Sequence, residues 1–133
     1  MSEAALAAKM KAIVPILRIF DIPKAIEFYC DYLGFQKDWE HRFGENFPIY
    51  MQVSRDGLAL HLSEHHGDAT PGSAIIVHVD GIRAFHGQLH ASDYRYAKPG
   101  LETTPWGSLD VTVTDPFGNR IVFSQPADTA EAT

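Results

Sequence analysis

The chain has few of the features that mark secreted, membrane-spanning or redox-active proteins. Only one of its 133 residues, Cys30, is a cysteine, so an internal disulfide is impossible, which fits a reducing compartment. No apolar run is long enough to span a bilayer, and the Ala-rich start of the chain lacks the basic-then-apolar order of a secretion signal. We therefore expect a cytoplasmic protein that does not associate with membranes.

Positive charge is also scarce. The sequence has 11 Lys and Arg against 17 Asp and Glu, which gives a formal net charge of −6, and the acidic residues are spread along the chain. Binding to a nucleic-acid backbone requires clustered Lys and Arg, so we expect no nucleic-acid partner. An acidic surface is better suited to a ligand that carries positive charge.

What is present is an alternating pattern that occurs twice. Each half predicts a strand, a helix and three more strands, with Asp21 and Asp80 as the N-caps of the two helices. The predicted strands cover residues 12–19, 35–43, 48–55, 58–63, 74–79, 94–97, 110–114 and 120–124. We interpret residues 1–133 as one α+β domain made of two βαβββ modules, about 12–66 and about 73–126, with the helices covering the outer face of a curved sheet.

The sheet face opposite the helices is predicted to carry too many apolar residues for a surface exposed to water. The residues responsible are Val14, Ile16, Trp39, Phe43, Ile76, Trp106 and Val122. Two curved half-sheets that face one another would form a ligand cleft there. Trp106 stands on a bend between Pro105 and Gly107, which favours ligand contact over core packing. By strand alternation, Asp38 and Glu40 are expected to point away from Trp39, and no pair of side chains stands out as an acid–base or nucleophilic site.

Several short motifs resemble those of one known family. They are Phe20-Asp21-Ile22, Phe28-Tyr29, Leu33-Gly34-Phe35, Pro105-Trp106-Gly107 and Asp115-Pro116-Phe117-Gly118-Asn119. With the repeated βαβββ order, they resemble the vicinal-oxygen-chelate superfamily over residues 12–125. The Pro-Trp-Gly motif and Pro15 in the first strand are most similar to its glyoxalase/bleomycin-resistance branch.

The resemblance also implies where a metal would bind. Enzymes of this superfamily hold a divalent ion with side chains on four strands, and the corresponding positions here are Val14, His61, Ala74 and Val122. Three of the four are aliphatic, and a divalent ion needs three or more N, O or S ligands. We therefore expect no metal, no cofactor and no catalytic residue, with His61 as a polar residue that lines the cleft.

The function implied by the resemblance is non-catalytic binding and sequestration of a small molecule, a bleomycin-family glycopeptide antibiotic. The resemblance further implies a homodimer with ligand grooves between subunits and an exchanged N-terminal strand. The expected ligand-binding residues are Trp39, Phe43, Phe47, Tyr50, His61 and Trp106, since flat heteroaromatic or cationic groups stack on such rings. Two alternatives stay open: a metal-dependent lyase, isomerase, dioxygenase or thiol transferase, and a binder of another aromatic metabolite.

Overall fold

Two four-stranded mixed sheets, each accompanied by a helix, form the frame of the molecule. The computed structural model describes residues 7–42, 44–92, 94 and 96–128. Phe43, one of the expected ligand-binding residues, lies outside the described residues. None of the described helices is both long and apolar enough to cross a bilayer.

The first sheet is built by the first βαβββ module. Its strands are β1 (Ile16–Arg18), β2 (Gln36–Arg42), β3 (Ile49–Arg55) and β4 (Leu58–Ser63), arranged in the order β1-β4-β3-β2. Strand β1 runs parallel to β4, and the other pairs are antiparallel. Between β1 and β2 lies helix α1 (Ile22–Ile26), which continues as a π-helical segment over Glu27–Tyr32.

The second sheet repeats this topology. Its strands are β5 (Ala74–His78), β6 (Glu102–Thr103), β7 (Ser108–Thr114) and β8 (Arg120–Pro126), arranged in the order β5-β8-β7-β6, and helix α2 (Ile82–Ala91) follows β5. Again the first strand is parallel to the last and the other pairs are antiparallel. The predicted α+β fold of two βαβββ modules is confirmed.

An equivalent backbone hydrogen bond in each module shows which residues of the two modules correspond. The Ile19 amide donates to the carbonyl of Ser63, and the Val79 amide donates to the carbonyl of Ser124, both at 2.9 Å. Ser63 therefore matches Ser124. Counting back two residues along each strand, His61 matches Val122.

The two modules share one hydrophobic core. Alternate residues of both sheets pack against the apolar faces of the helices; the largest fully buried apolar side chains include Phe28, Tyr29, Tyr32, Met51, Leu62, Ile82, Leu89 and Ile121. Burial of this apolar surface is the main driving force for folding. It also fixes which strand faces remain available to a ligand.

The two helices begin in different ways. The predicted cap of α1 is confirmed, because the Asp21 side chain accepts a hydrogen bond from the Lys24 amide at 2.9 Å. The predicted Asp80 cap of α2 is wrong. Gly81 occupies the N-cap position with a φ of 84°, and Oε1 of Gln125 on β8 accepts from the amides of Gly81 and Ile82, at 3.0 and 2.8 Å.

Two predicted strands also differ from the structure. The first strand was expected over 12–19, but regular pairing covers only Ile16–Arg18. Tyr94, Tyr96 and Ala97 form no strand; the Tyr94 ring instead stacks on Tyr32 at 4.5 Å, so the apolar alternation there reflects an aromatic cluster. The strand that pairs with β7 lies further along the chain, at Glu102–Thr103.

Candidate functional site

Three aromatic side chains meet on the face of the first sheet that points away from the helices. Trp39 and Tyr50 lie nearly parallel, with ring centroids 6.1 Å apart and an interplanar angle of 13°. The His61 ring packs edge-on against both, 5.3 Å from Trp39 and 5.1 Å from Tyr50. Trp39 is 43% exposed, so this ring cluster of Trp39, Tyr50 and His61 offers a flat apolar surface to solvent.

A chain of four hydrogen-bonded side chains fixes the orientation of His61. The Gln52 amide nitrogen donates to Oδ2 of Asp38 at 2.9 Å, which leaves the Gln52 oxygen as an acceptor 3.0 Å from Nε2 of His61. His61 therefore carries its proton on Nε2, and the Tyr50 hydroxyl donates to Nδ1 at 2.6 Å. All protons in the chain Tyr50–His61–Gln52–Asp38 point toward the carboxylate.

The charges at the two ends of this chain have identifiable causes. Hydrogen bonds from the side chains of Gln52 and Ser54 hold the pKa of Asp38 below its usual range, so the carboxylate stays ionised. At the other end, partial burial and the negative charge of Asp68 raise the pKa of the Tyr50 hydroxyl. Tyr50 therefore remains a hydrogen-bond donor at neutral pH.

The position of Asp38 corrects one expectation. Strand alternation placed Asp38 on the face away from Trp39, yet its carboxylate bonds with Gln52, which bonds with His61 of the ring cluster. The cause is a register shift between Lys37 and Trp39 in the pairing of β2 with β3. Such a bulge turns a side chain toward the other face of the sheet. The local sequence contains no signal that predicts this bulge.

On the second sheet, Trp106 stands at the tip of a tightly hydrogen-bonded turn. The Thr104 amide donates to the Ser108 carbonyl at 2.9 Å, and the Gly107 amide donates to the Thr104 carbonyl at 3.2 Å. Gly107 has a φ of 91°, a conformation that favours glycine. The indole is 78% exposed, so a large apolar ring is presented to solvent from a well-braced backbone.

A groove of about 660 Å³, lined by both apolar and polar side chains, lies beside this turn. Its central group is Asp110, whose Oδ1 accepts from the hydroxyls of Ser108 and Ser124 at 2.8 and 2.7 Å. Within the described part of the chain, Oδ2 of Asp110 accepts no hydrogen bond. Asp110 and Glu102 supply two negative charges to the groove that Trp106 lines, and Arg120 supplies one positive charge.

The structure brings together only some of the expected ligand-binding residues. Trp39, Tyr50 and His61 are in contact, and a cavity of about 410 Å³ lies against Trp39 and Tyr50. Trp106 lines the separate groove on the second sheet. Phe47 is 54% exposed in the turn before β3 and lines another cavity, with Arg18 and Arg42. Whether each of these residues contacts a ligand stays a prediction.

Sequence reasoning left Gln52, Ser108 and Ser124 out of the candidate site. Gln52 lies two positions after Tyr50 on β3 and therefore shares its strand face, so strand alternation alone could have predicted that Gln52 belongs to the site. The two serines had no such signal, because only the pairing of β7 with β8 brings both hydroxyls to Asp110.

The residues at the superfamily's metal positions do not fit a divalent ion. Val14, Ala74 and Val122 are aliphatic, and so are the residues paired directly with His61 and Val122, which are Ile16 and Ile76. Within the described ranges, no group of three or more His, Cys, Asp or Glu side chains is arranged to hold a metal. His61 alone offers too few ligands at this position.

Comparisons with known proteins agree with this architecture. A family model described as "Glyoxalase superfamily protein" matches residues 3–130. A bleomycin-binding protein from Streptomyces verticillus, solved with copper(II)-bleomycin, is 30% identical with a TM-score of 0.63, over 88% of this chain and 97% of that chain. An antibiotic-binding protein from Streptomyces sp. CB03234 is 25% identical with a TM-score of 0.69, over 90% of this chain and 98% of that chain.

The same fold also occurs among enzymes. A glyoxalase-related enzyme from Clostridium phytofermentans has a TM-score of 0.68 at 18% identity, over 90% of this chain and 97% of that chain. A search among functionally curated proteins gave no significant match. With the family model spanning nearly the whole chain and the two βαβββ modules observed in the structure, this protein belongs to the glyoxalase superfamily.

Proposed function

We propose that this protein binds a bleomycin-family glycopeptide antibiotic without chemical change and confers resistance by sequestration. Such a drug combines a flat bithiazole with a cationic tail. Bound drug is withheld from DNA by mass action, so protection requires tight binding and enough protein. The two similar Streptomyces proteins, one a bleomycin-binding protein and the other an antibiotic-binding protein, support this choice of ligand class.

The observation that carries the proposal is the exposed Trp106 indole on its braced turn, beside a groove lined by two carboxylates and one guanidinium. An aromatic ring of this size is costly to leave in water, and a flat ligand that stacks on it would remove apolar surface from solvent. The carboxylates of Asp110 and Glu102 lie where a cationic tail would be attracted. The ring cluster on the first sheet offers a second stacking surface of the same kind.

The proposal includes a homodimer, in which the ring cluster of one subunit faces the Trp106 groove of its partner. The two cavities share no residue within one chain, which suits a groove completed by a second copy. Residues 7–14 precede β1 without joining a sheet, and the apolar side chains of Met10 and Ile13 are 93% and 91% exposed. An arm of this kind is suited to docking on a partner subunit.

A titration with metal-free and copper-loaded bleomycin tests the proposal. The chain has only two tryptophans, Trp39 and Trp106, so each Trp→Ala variant leaves one fluorescent reporter. Wild-type protein is expected to bind one drug per subunit with saturation in fluorescence and calorimetry. Trp106→Ala should raise Kd by about tenfold or more, the equivalent of about 1.4 kcal/mol, because it removes a stacking surface. Its unfolding free energy should change by less than about 0.5 kcal/mol, since the ring is exposed.

Phe20→Ala is the matched control, because Phe20 is also an exposed aromatic residue, is not one of the expected ligand-binding residues, and lines a different cavity. Its affinity should equal that of the wild type. An unchanged affinity in Trp106→Ala would remove Trp106 from the site. The absence of drug binding, with stoichiometric metal retained after dialysis against a chelator, would overturn sequestration in favour of a metal-dependent enzyme. The absence of both would leave another aromatic ligand as the interpretation.

A further inference from the structure

Two histidines on helix α2, remote from both ring surfaces, converge on a single oxygen atom. Nε2 of His86 lies 3.0 Å from the carbonyl oxygen of Pro99, and Nε2 of His90 lies 2.7 Å from the same oxygen. The two imidazole rings are 4.4 Å apart between centroids. Two imidazole nitrogens and one carbonyl oxygen, each able to act as a metal ligand, therefore lie close together at the surface.

The helix provides the first half of this arrangement. Residues separated by four positions lie on the same face of a helix, one turn apart, and a His pair at this spacing is a recurrent zinc-binding arrangement. His86 is half-buried and His90 is exposed, so solvent and ions reach the point where the two rings converge.

The chain after α2 provides the second half, and contacts other than the histidines hold it in place. The Lys98 ammonium donates to the Ser92 carbonyl at 3.3 Å, and the Tyr32 hydroxyl donates to the Ala97 carbonyl at 3.5 Å. These two bonds lie on the segment just before Pro99. They connect this segment to α2 and to Tyr32 without involving either imidazole.

The distances match those between neighbouring ligands of one metal ion. With zinc–nitrogen bonds of about 2.0–2.1 Å, two ligands at 90° lie about 3.0 Å apart, and at the tetrahedral angle about 3.4 Å. The observed spacings of 3.0 and 2.7 Å must widen by about 0.4 and 0.7 Å to reach the tetrahedral value. Without metal, each Nε2–H donates to the carbonyl. With the protons on Nδ1 instead, each ring can bind an ion by turning so that its Nε2 lone pair leaves the carbonyl oxygen and points at the ion.

We propose that His86, His90 and the carbonyl oxygen of Pro99 form a binding site for a divalent transition-metal ion of the Zn²⁺, Ni²⁺ or Cu²⁺ class. Imidazole suits these ions, and water completes the coordination. The site goes beyond the proposed antibiotic binding and is separate from the superfamily's metal position, which is at His61. A bound ion would join α2 to the segment that leads into β6 and Trp106.

Calorimetry with tag-free, chelator-treated protein tests this site, with Zn²⁺, Ni²⁺ and Cu²⁺ added separately as their chlorides. Wild-type protein is expected to bind one ion per chain. His90→Gln should weaken binding by about tenfold or more, since loss of even an outer-shell partner costs that much. The double variant His86→Gln/His90→Gln should bind no ion at this site, although each glutamine retains an N–H donor for Pro99.

The matched control is His66→Gln, which removes an exposed loop histidine and should leave the affinity unchanged. Zn²⁺ should raise the melting temperature of the wild type and leave that of the double variant unchanged. Circular dichroism in the absence of metal checks that all variants are folded. Equal ion affinity in the wild type and the double variant would overturn the proposal, and the two histidines would then serve only as hydrogen-bond donors to Pro99. A loss of ion affinity in His66→Gln would also overturn it.

Discussion

At the scale of single residues, a buried hydrogen-bond network around Asp115 links the two modules. The Tyr29 hydroxyl donates to Oδ2 of Asp115 at 2.6 Å across 86 positions of sequence. The same carboxylate oxygen accepts from Nδ2 of Asn119 at 2.8 Å, and that amide also donates to the Arg18 carbonyl at 2.7 Å. Because the network is inaccessible to water, each bond is worth more than it would be on the surface.

Tyr29→Phe is predicted to lower the free energy of unfolding by about 1.5–3 kcal/mol, the usual worth of a hydrogen bond to a charged group. Urea unfolding at neutral pH measures the change. Tyr94→Phe is the matched control, because Tyr94 packs against Phe28 in the same aromatic cluster and Phe retains the ring. A smaller loss in Tyr29→Phe than in Tyr94→Phe would contradict the assignment.

The same residue predicts how stability depends on alkaline pH. Burial and the negative charge of Asp115 raise the pKa of Tyr29 far above its ordinary value. Tyr29 in the unfolded chain ionises near pH 10, whereas the folded protein keeps the proton, so its contribution is complete below pH 10 and is lost as the pH rises further. This one group adds a loss of about 1.4 kcal/mol per pH unit above pH 10. The loss should be shallower by that amount in Tyr29→Phe, and equal slopes in urea titrations of both proteins would contradict the prediction.

The sequence predicted single residues well where local chemistry decides and poorly where pairing decides. The bend at Trp106 follows from Pro105 and Gly107, whose conformational preferences are local. The contact of Asp38 with Gln52 depends on a bulge between two strands, and the contact of Ser124 with Asp110 depends on strand register. Neither contact can be predicted from a short motif in one sequence.

At the scale of elements, the two helix starts give a matched pair of tests. Gln125 is 1% exposed and accepts from two amides at the start of α2, whereas Asp80 is exposed and makes no such bond. Gln125→Leu should destabilise the protein by about 2 kcal/mol or more, because two amide donors lose their partner. Asp80→Ala should change stability by less than about 0.5 kcal/mol.

Denaturant unfolding of both variants measures the difference. A larger loss of unfolding free energy in Asp80→Ala than in Gln125→Leu would contradict this assignment and support Asp80 as the cap. Asp80 satisfies the residue preference for an N-cap, but the polar group that performs the role comes from a strand more than forty positions away. Capping by a distant residue is invisible to a local pattern, whereas the Asp21 cap, three positions from its partner, was readable.

At the scale of the whole molecule, the proposed groove combines the first sheet of one subunit with the second sheet of its partner. Mixing Trp39→Ala subunits with Trp106→Ala subunits tests this. Each homodimer would lack one ring in both grooves. The mixed dimer would have one groove with both rings and one with neither. Random exchange of equal amounts makes about half of the dimers mixed, so high-affinity drug binding should reappear at about a quarter of the wild-type stoichiometry.

Unmixed samples of each variant are the controls, and sedimentation measures whether dimers form. Recovery of affinity would show that the rings come from different subunits. If both rings served one groove within a single chain, mixing would restore nothing. The repeated module order was predictable from sequence, but the separation of Trp39 and Trp106 into two cavities was not, because it depends on how the complete sheets are placed.

The Gln125 cap has a consequence for synthesis on the ribosome. Helix α1 has its cap as soon as residues 21–24 have emerged, so the start of the first module is complete early. Helix α2 acquires its cap only when Gln125, 43 positions after Ile82, is in place. Since domains fold as their chains emerge, the start of α2 in the nascent second module has no cap until the last strand of that module has been synthesised.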